Sequence, residues 1–224
     1  MWRRDSPLSE ANMGQSRRLD DMNSRLSWRS KSIPSFPTPQ GREHATALEA
    51  VLTFLEGPAA EWTMGDFGEW FNVHLVGPGL LKRPQVIREP GAAPLRMDPR
   101  SEASGNLADL MTRARARVIA AIRGLIAPVS DDRCLHAAIY GGRVRRTVVN
   151  ERPTWVPSPR EIDFLSDIVL SLLAAAVLPD RDFYRAHLCV CDLCHRVAYK
   201  DMPDARSLCR EHRSTTSGFT SKLR

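Results

Sequence analysis

The 224-residue sequence contains no uninterrupted apolar segment long enough to span a lipid bilayer. Its longest apolar run, Ile168–Leu178, includes Ser171. The run has roughly half the ~20 residues that a membrane helix requires. We therefore predict that it forms a helix buried in a protein core, and we expect no membrane partner.

The N-terminal residues lack the apolar stretch of a secretory signal. They read MWRRDSPLSEANMGQSRR, in which no hydrophobic core follows the charges. Their Arg and Ser content is similar to that of an organelle transit peptide, but such peptides are poor in acidic residues. This part of the chain holds Asp5, Glu10, Asp20 and Asp21. We therefore expect a cytoplasmic protein in a reducing compartment.

Common catalytic signatures are also missing. The sequence has no GxxxxGK[ST], GxGxxG, HExxH or GxSxG motif. An HNH-type nuclease needs His and Asn between its metal-binding pairs, and the segment from Cys194 to Cys209 contains His195 but no Asn. Cys134 and His136 are two residues apart, which places them on different faces of a predicted helix. These absences predict a protein that is not an enzyme, although catalytic groups brought together from distant positions would leave no such motif.

The net charge of +6 is concentrated at the two ends of the chain. Residues 1–40 and residues 189–224 each contain seven basic and four acidic residues, whereas residues 41–188 are neutral. Basic ends favour polyanionic partners such as DNA or RNA. The alternative is that exposed tails carry charge for solubility alone.

The chain divides into three predicted segments. Residues 1–40 show no apolar periodicity and finish in SIPSFPTPQ, which predicts a disordered basic arm. Residues 41–188 are predicted to form a mainly helical domain, and residues 189–224 a small metal-binding module with a basic tail. The predicted fold class is therefore mainly α.

Apolar spacing and capping residues predict the helices of the middle segment. They are expected over 43–56, from Thr63 onward, over 107–126, over 131–140 and over 158–178. Thr63 with Asp66, and Ser158 with Glu161, have the spacing of N-terminal capping boxes. The five prolines of residues 77–101 predict a long loop, and RVRRTVV at 143–149 predicts a short strand.

Two groups of side chains in this domain allow either a structural or a binding role. An aromatic stripe at helical spacing is more typical of a core than of a binding surface, and it comprises Phe67, Trp70, Phe71 and Leu75. Four arginines surround the apolar stripe of the helix at 107–126. They are dispersed around its polar side, which favours a solvated face over a phosphate-binding row: Arg113, Arg115, Arg117 and Arg123.

Four of the five cysteines lie within Cys189–Cys209. In a cytoplasmic protein such a cluster favours metal binding over disulfides. Cys191 and Cys194 form one pair and Cys209 and His212 a second, each with a two-residue gap. A gap of two lets both side chains of a tight turn reach one ion, so the two pairs predict a closed tetrahedral site for structural Zn²⁺.

Other ligand assignments remain open from sequence. Cys189 can replace Cys191 with a wider gap to Cys194, and His195 or His187 can replace His212. A redox CxxC pair is less favoured because no βαβ pattern surrounds it. An unliganded thiol cluster is the third alternative. Basic residues that would help to keep the thiols ionised are Lys200, Arg210 and Arg213.

The C-terminal stretch HLCVCDLCHRVAYKDMPDARSLCREHR resembles small bacterial zinc knuckles of the CxxC…CxxH type. In these treble-clef-like modules the second pair opens a short basic helix. The resemblance covers about the last thirty-five residues, and His195 stands where the group usually has glycine. It implies a structural zinc ion and raises the expectation of contact with DNA or RNA.

The predicted function is a zinc-binding accessory or regulatory protein associated with nucleic acid. The residues expected to contact it are Arg206, Arg210, Arg213, Lys222 and Arg224. The alternative is a protein–protein adaptor or assembly factor in which zinc only holds the fold together. The first hypothesis predicts that these basic residues share a face with Arg143, Arg145 and Arg146. The second predicts an exposed apolar patch, for which Trp62 and Trp70 are candidate members.

Overall fold

A computed structural model describes residues 42–56, 58–77, 86–96, 104–149, 151–158, 160, 162–200, 202–203, 205–209 and 212–213. All of them belong to one compact unit, Thr38–Arg224. The predicted arm, residues 1–40, lies outside the described residues, and the division of the chain into three segments stays a prediction. Within the described ranges, no helix is both long and apolar enough to cross a membrane.

Six α-helices are found in the described residues. They are α1 (Arg42–Leu55), α2 (Met64–Phe71), α3 (Ser104–Ile126), α4 (Arg133–Tyr140), α5 (Leu165–Val177) and α6 (Arg181–His187). A 3-10 turn at Ala59–Glu61 precedes α2, and a π-helical turn at Asn72–Val76 continues it. The predicted capping box of α2 is confirmed, because the Asp66 N–H donates to the Thr63 hydroxyl at 3.1 Å and the Thr63 N–H donates to the Asp66 carboxylate at 2.8 Å.

Seven strands form three small sheets in the same residues. They are β1 (Val86–Arg88), β2 (Leu95–Arg96), β3 (Val144–Val149), β4 (Arg152–Pro157), β5 (Ile162–Phe164), β6 (Leu188–Val190) and β7 (Val197–Tyr199). β1 is the central strand of the first sheet, antiparallel to β2 and parallel to β5. β3 with β4, and β6 with β7, form two antiparallel hairpins.

The prediction of a mainly α chain is therefore wrong, because helices and three sheets together build the fold. Most of these strands have only two or three residues, too few for an alternating pattern to be recognised. β1 lies between Pro84 and Pro90, within the segment predicted to be a loop, and β4 contains Pro153 and Pro157. The strand predicted around β3 is present.

The aromatic side chains of α1, of α2 and of the connection between them form a buried cluster. Phe54, Phe67 and Phe71 are fully buried, and Trp62 and Trp70 are each 5% exposed. The Trp70 indole N–H also donates to the Ala50 carbonyl at 3.1 Å. The aromatic stripe is thus core, as predicted, and neither Trp62 nor Trp70 can belong to the exposed apolar patch that the adaptor alternative predicts. The predicted buried helix at Ile168–Leu178 is confirmed by α5, where Ser171–Val177 are all buried.

The predicted start of α5 at Ser158 is wrong. Residues 162–164 pair with β1 as strand β5, and the helix begins at Leu165. Its first turn is capped from a distance, because the Ser166 N–H donates to the carboxylate of Glu89 at the end of β1. A local capping box at 158–161 is therefore replaced by a contact between segments far apart in the chain.

Two buried carboxylates, one after β1 and one in β5, are paired with arginines. Glu89 and Asp163 are 2% and 3% exposed. The Arg117 guanidinium lies 3.3 Å from the Glu89 carboxylate, and the Arg143 guanidinium contacts the carboxylates of both Asp163 and Asp167. The expectation that the α3 arginines form a solvated face is wrong at Arg115. That side chain is 7% exposed, and its guanidinium lies 5.5 Å from the ring centroids of Phe54 and Trp62.

Candidate metal centre

The hairpin of β6 and β7 positions the first pair of cysteines. Cys191 directly follows β6, and Cys194 lies in the turn that leads to β7. The Cys191 N–H donates to the Arg196 carbonyl at 2.8 Å, and the His195 N–H donates to the Cys191 carbonyl at 2.8 Å. These two bonds close a tight turn that brings both thiols to the same end of the hairpin.

His195 adopts a left-handed backbone conformation in this turn, with φ of 58°. A residue with a Cβ atom is disfavoured there by roughly 1–2 kcal/mol, whereas glycine has no such penalty. Zinc knuckles similar to this segment usually carry glycine at the same position. The turn therefore keeps the geometry that favours glycine although the residue is histidine.

The second pair lies on a segment that returns to the hairpin. The Asp192 N–H donates to the Ser207 carbonyl at 2.8 Å, which joins the two halves of the module. His212 follows Cys209 by one helical turn, and its N–H donates to the Cys209 carbonyl at 3.1 Å. The Arg213 guanidinium donates to the Tyr199 carbonyl of β7 at 2.6 Å, a further link between the halves.

The potential ligand atoms of the two pairs converge. The Nδ1 atom of His212 lies 3.3 Å from the Cys191 Sγ atom and 3.2 Å from the Cys209 Sγ atom. The Sγ atoms of Cys194 and Cys209 are 3.7 Å apart, and all four ligand atoms lie within 4.8 Å of one another. Three thiols and one imidazole nitrogen can thus surround a single metal ion.

The alternative ligands lie outside this cluster. Cys189 is buried within β6, where it is paired in register with Ala198. The Nδ1 atom of His187 lies 2.9 Å from the Lys200 carbonyl, and its ring stacks on Tyr199 at 5.3 Å. His195 is exposed. Among the candidates of the sequence analysis, the structure therefore brings together Cys191, Cys194, Cys209 and His212.

No protein-family model, curated protein or solved structure matches this chain. The resemblance to zinc knuckles therefore rests on the four residues and on the turns that hold them. What the centre does has to be argued from its own geometry.

The acidities of the cysteines differ within the cluster. Burial raises the pKa of the Cys191 thiol, but N–H groups of Cys209, Cys194 and Leu193 and the His212 ring hydrogen-bond to it and lower the pKa to about 5. Burial, together with the neighbouring Cys194 and Cys191 thiols, raises the pKa of Cys209 to about 11. A thiolate is therefore favoured at Cys191 and opposed at Cys209, an opposition that a divalent cation would offset.

The residues predicted to contact nucleic acid are only partly within the described chain. Arg206 is exposed, whereas Arg213 is half-buried and donates to Tyr199 as described above. Arg210, Lys222 and Arg224 lie outside the described residues. Of the arginines expected to share their face, Arg143 is held in internal ion pairs, while Arg145 and Arg146 are exposed.

Proposed function

We propose that this chain is a zinc-binding protein in which Cys191, Cys194, Cys209 and His212 hold one structural Zn²⁺ ion. The separations of the ligand atoms carry this proposal. A zinc tetrahedron with Zn–S of about 2.3 Å and Zn–N of about 2.0 Å has S···S separations of about 3.8 Å and S···N separations of about 3.5 Å. In the cluster the Cys194 and Cys209 Sγ atoms are 3.7 Å apart, the His212 Nδ1 atom lies 3.2–3.3 Å from two Sγ atoms, and no separation exceeds 4.8 Å.

The ligand set favours a structural over a catalytic role. Three thiolates and one imidazole fill all four tetrahedral positions, and catalytic zinc sites keep one position for water or substrate. Soft thiolates also favour zinc over magnesium or calcium, which prefer oxygen ligands. A reducing cytoplasm, the compartment that we propose, would keep these thiols available.

The metal-binding end of the module has little apolar packing of its own. Its own buried cluster contains Cys191, Leu208 and Cys209, against which Cys194 and Ala198 pack. Its hairpin has only three residues in each strand and is supported by the helices, because Leu188, Cys189 and Tyr199 are buried and the strands pack against α1, α3 and α6. Bound zinc would join this hairpin to the Cys209–His212 segment, so its binding free energy would contribute directly to folding.

Metal content is the first test. Protein purified without added metal is expected to contain about one zinc per chain, measured by elemental mass spectrometry, because the four ligands close one tetrahedral site. The same analysis reports whether iron, copper or nickel occupies the site instead. Less than about a tenth of an equivalent of zinc, with no gain after reconstitution with Zn²⁺, would contradict the proposal.

We further propose that the protein is a nucleic-acid-associated accessory or regulatory factor. The support is the charge distribution, since the net charge of the chain lies in residues 1–40 and 189–224. Arg206, on the metal-binding module, is exposed and available to a phosphate group. The adaptor role remains the rival, without Trp62 or Trp70 in the exposed apolar patch that it predicts.

The second test is a binding titration at two salt concentrations. The full-length protein is expected to bind DNA or RNA with little sequence preference, and with affinity that falls steeply between 50 and 200 mM salt. Replacing Arg206, Lys222 and Arg224 together by Gln should reduce the salt dependence, because each lost phosphate contact lowers the slope of log K against log salt by about 0.7–0.9.

A matched triple variant controls for the change in net charge. Arg113, Arg133 and Arg181 are also exposed, but they pair with Asp109, Asp131 and Asp132. Their replacement by Gln should leave binding close to that of the native protein. If the full-length protein shows no binding at low salt, nucleic-acid association is refuted and the adaptor hypothesis becomes the leading one.

A further inference from the structure

The hairpin of β3 and β4 exposes two neighbouring arginines that no carboxylate of the described residues neutralises. Five other arginines each contact a carboxylate: Arg113 with Asp109, Arg117 with Glu89, Arg133 with Asp131, Arg143 with Asp163 and Arg181 with Asp132. Arg145 and Arg146 of β3 are exposed and form no ion pair with any residue that the structure describes. Both cations are thus left for an external anion, on opposite faces of the ribbon because successive side chains of a strand alternate.

The register of the hairpin adds an aromatic ring to this charge. Arg146 is paired with Trp155 across the two strands, and Val148 is paired with Pro153. Cross-strand partners lie on the same face of a sheet, so these four side chains share one face of the ribbon. Trp155 is half-buried, unlike the core residues Trp62 and Trp70, and Val148 is 70% exposed.

We infer that the β3–β4 hairpin is a contact site for single-stranded DNA or RNA, an inference that rests on the proposed nucleic-acid association. An indole ring beside an exposed cation is the combination on which an unpaired base stacks while the adjacent phosphates bind arginine. Residues 144–157 contain three arginines and one acidic residue, Glu151 at the turn, so the charge of the hairpin complements a phosphate backbone. Single strands are favoured over duplex because stacking on Trp155 requires an unpaired base.

A protein partner is less favoured at this hairpin. Strand addition by a peptide requires a regular free edge of N–H and carbonyl groups. Pro153 and Pro157 remove two N–H groups from β4 and so disfavour strand addition along that strand, whereas β3 contains no proline. The two exposed arginines of β3 could bind either an acidic protein or a nucleic acid. The experiment therefore includes outcomes that distinguish these two partners.

The test uses the full-length protein and a fluorescein-labelled fifteen-nucleotide oligo(dT), with the matched dT·dA duplex as a second probe, at low salt. The Arg145→Gln/Arg146→Gln variant is expected to weaken oligo(dT) binding about tenfold, because two phosphate contacts are lost. Trp155→Leu should weaken it at least about fivefold, and Trp155→Phe should restore most of the affinity because a smaller ring still stacks. The control is Arg113→Gln/Arg133→Gln, whose arginines are exposed but paired with aspartates, and it should bind as the native protein does.

The outcomes separate this inference from the proposed function. If the native protein binds neither probe, the proposed nucleic-acid association fails, and this inference with it. If the native protein binds oligo(dT) and the hairpin variants, shown to be folded by circular dichroism, bind equally well, the inference is overturned while the association stands. Equal affinity of the native protein for the duplex and the single strand also overturns the inference. So does a polypeptide that co-purifies with the native protein but not with the hairpin variants, if those variants still bind oligo(dT) normally.

Discussion

Cys209→Ser is expected to release the bound zinc and to unfold the C-terminal module while the helical part of the protein stays folded. Cys209 is 8% exposed, and its Sγ atom lies next to both His212 and Cys194. Structural zinc contributes about 10–16 kcal/mol of apparent binding free energy in small zinc modules, and the metal-binding end of this module has only a small buried cluster of Cys191, Leu208 and Cys209. The helices retain their own core around Phe54, Phe67 and Leu172.

Two measurements detect this local unfolding. Zinc content should fall to near zero, and the amides of Asp192 and His195, which donate to Ser207 and Cys191, should lose hydrogen-exchange protection while those of α5 keep it. Cys191→Ser and Cys194→Ser should behave in the same way. Global loss of protection in all three variants would contradict a role limited to the module.

Cys189→Ser is the matched control for these ligand variants. Cys189 is 2% exposed and lies two residues before Cys191, but it is outside the metal cluster. The substitution changes packing without removing a ligand, so zinc should remain at about one equivalent. Cys134→Ser, in α4, is a more distant control with the same expected result. Loss of zinc from Cys189→Ser together with retention by Cys191→Ser would show that the ligand register is wrong.

Arg143→Ala is expected to lower the free energy of unfolding by about 3 kcal/mol. The side chain of Asp163 is 1% exposed, and Arg143 is its ion-pair partner. Removal of one partner leaves a buried carboxylate without a counter-charge, which typically costs 3–5 kcal/mol. The N–H groups of Arg160 and Phe164 still donate to Asp163, at 3.0 and 2.9 Å, which favours the lower end of that range. Urea unfolding monitored by circular dichroism gives the change.

Arg113→Ala separates this effect from a general loss of arginine. Arg113 also pairs with an aspartate, Asp109, at 3.0 Å, but both side chains are about half exposed, at 46% and 48%. Exposed pairs of this spacing contribute about 0.3–0.5 kcal/mol, because solvent screens them. Equal destabilisation by the two substitutions would show that the burial of the Arg143 pair does not set its contribution.

Local signals were enough to predict several parts of the protein from sequence. The capping box at Thr63 and the aromatic stripe of α2 depend on residues within one or two helical turns. The apolar stripe of α3 and the continuous apolarity of α5 likewise record which faces are buried. The four metal-binding candidates were found because a two-residue gap by itself lets both members of a pair reach one ion.

The tertiary structure alone decided what depends on distant segments. Strand β1 exists by pairing with residues 162–164, and no local pattern marks a three-residue strand between prolines. The same pairing moved the start of α5 to Leu165 and placed the Glu89 carboxylate at its first turn. The position of Arg115 on the helix predicted an exposed side chain. In the structure it is buried against Phe54 and Trp62, which come from a distant segment.

In the candidate metal centre, too, the sequence predicted some features and only the tertiary structure decided others. Spacing alone left Cys189, His187 and His195 as alternative ligands, because each is close enough in sequence to a pair to take part. Strand pairing places the Cys189 backbone opposite Ala198, the Lys200 carbonyl engages His187, and the left-handed turn leaves His195 exposed. Sequence therefore determined which chemistry is present, since that depends on residue type and gap length. The fold determined which atoms meet, because that depends on backbone hydrogen bonds between segments that no local pattern relates.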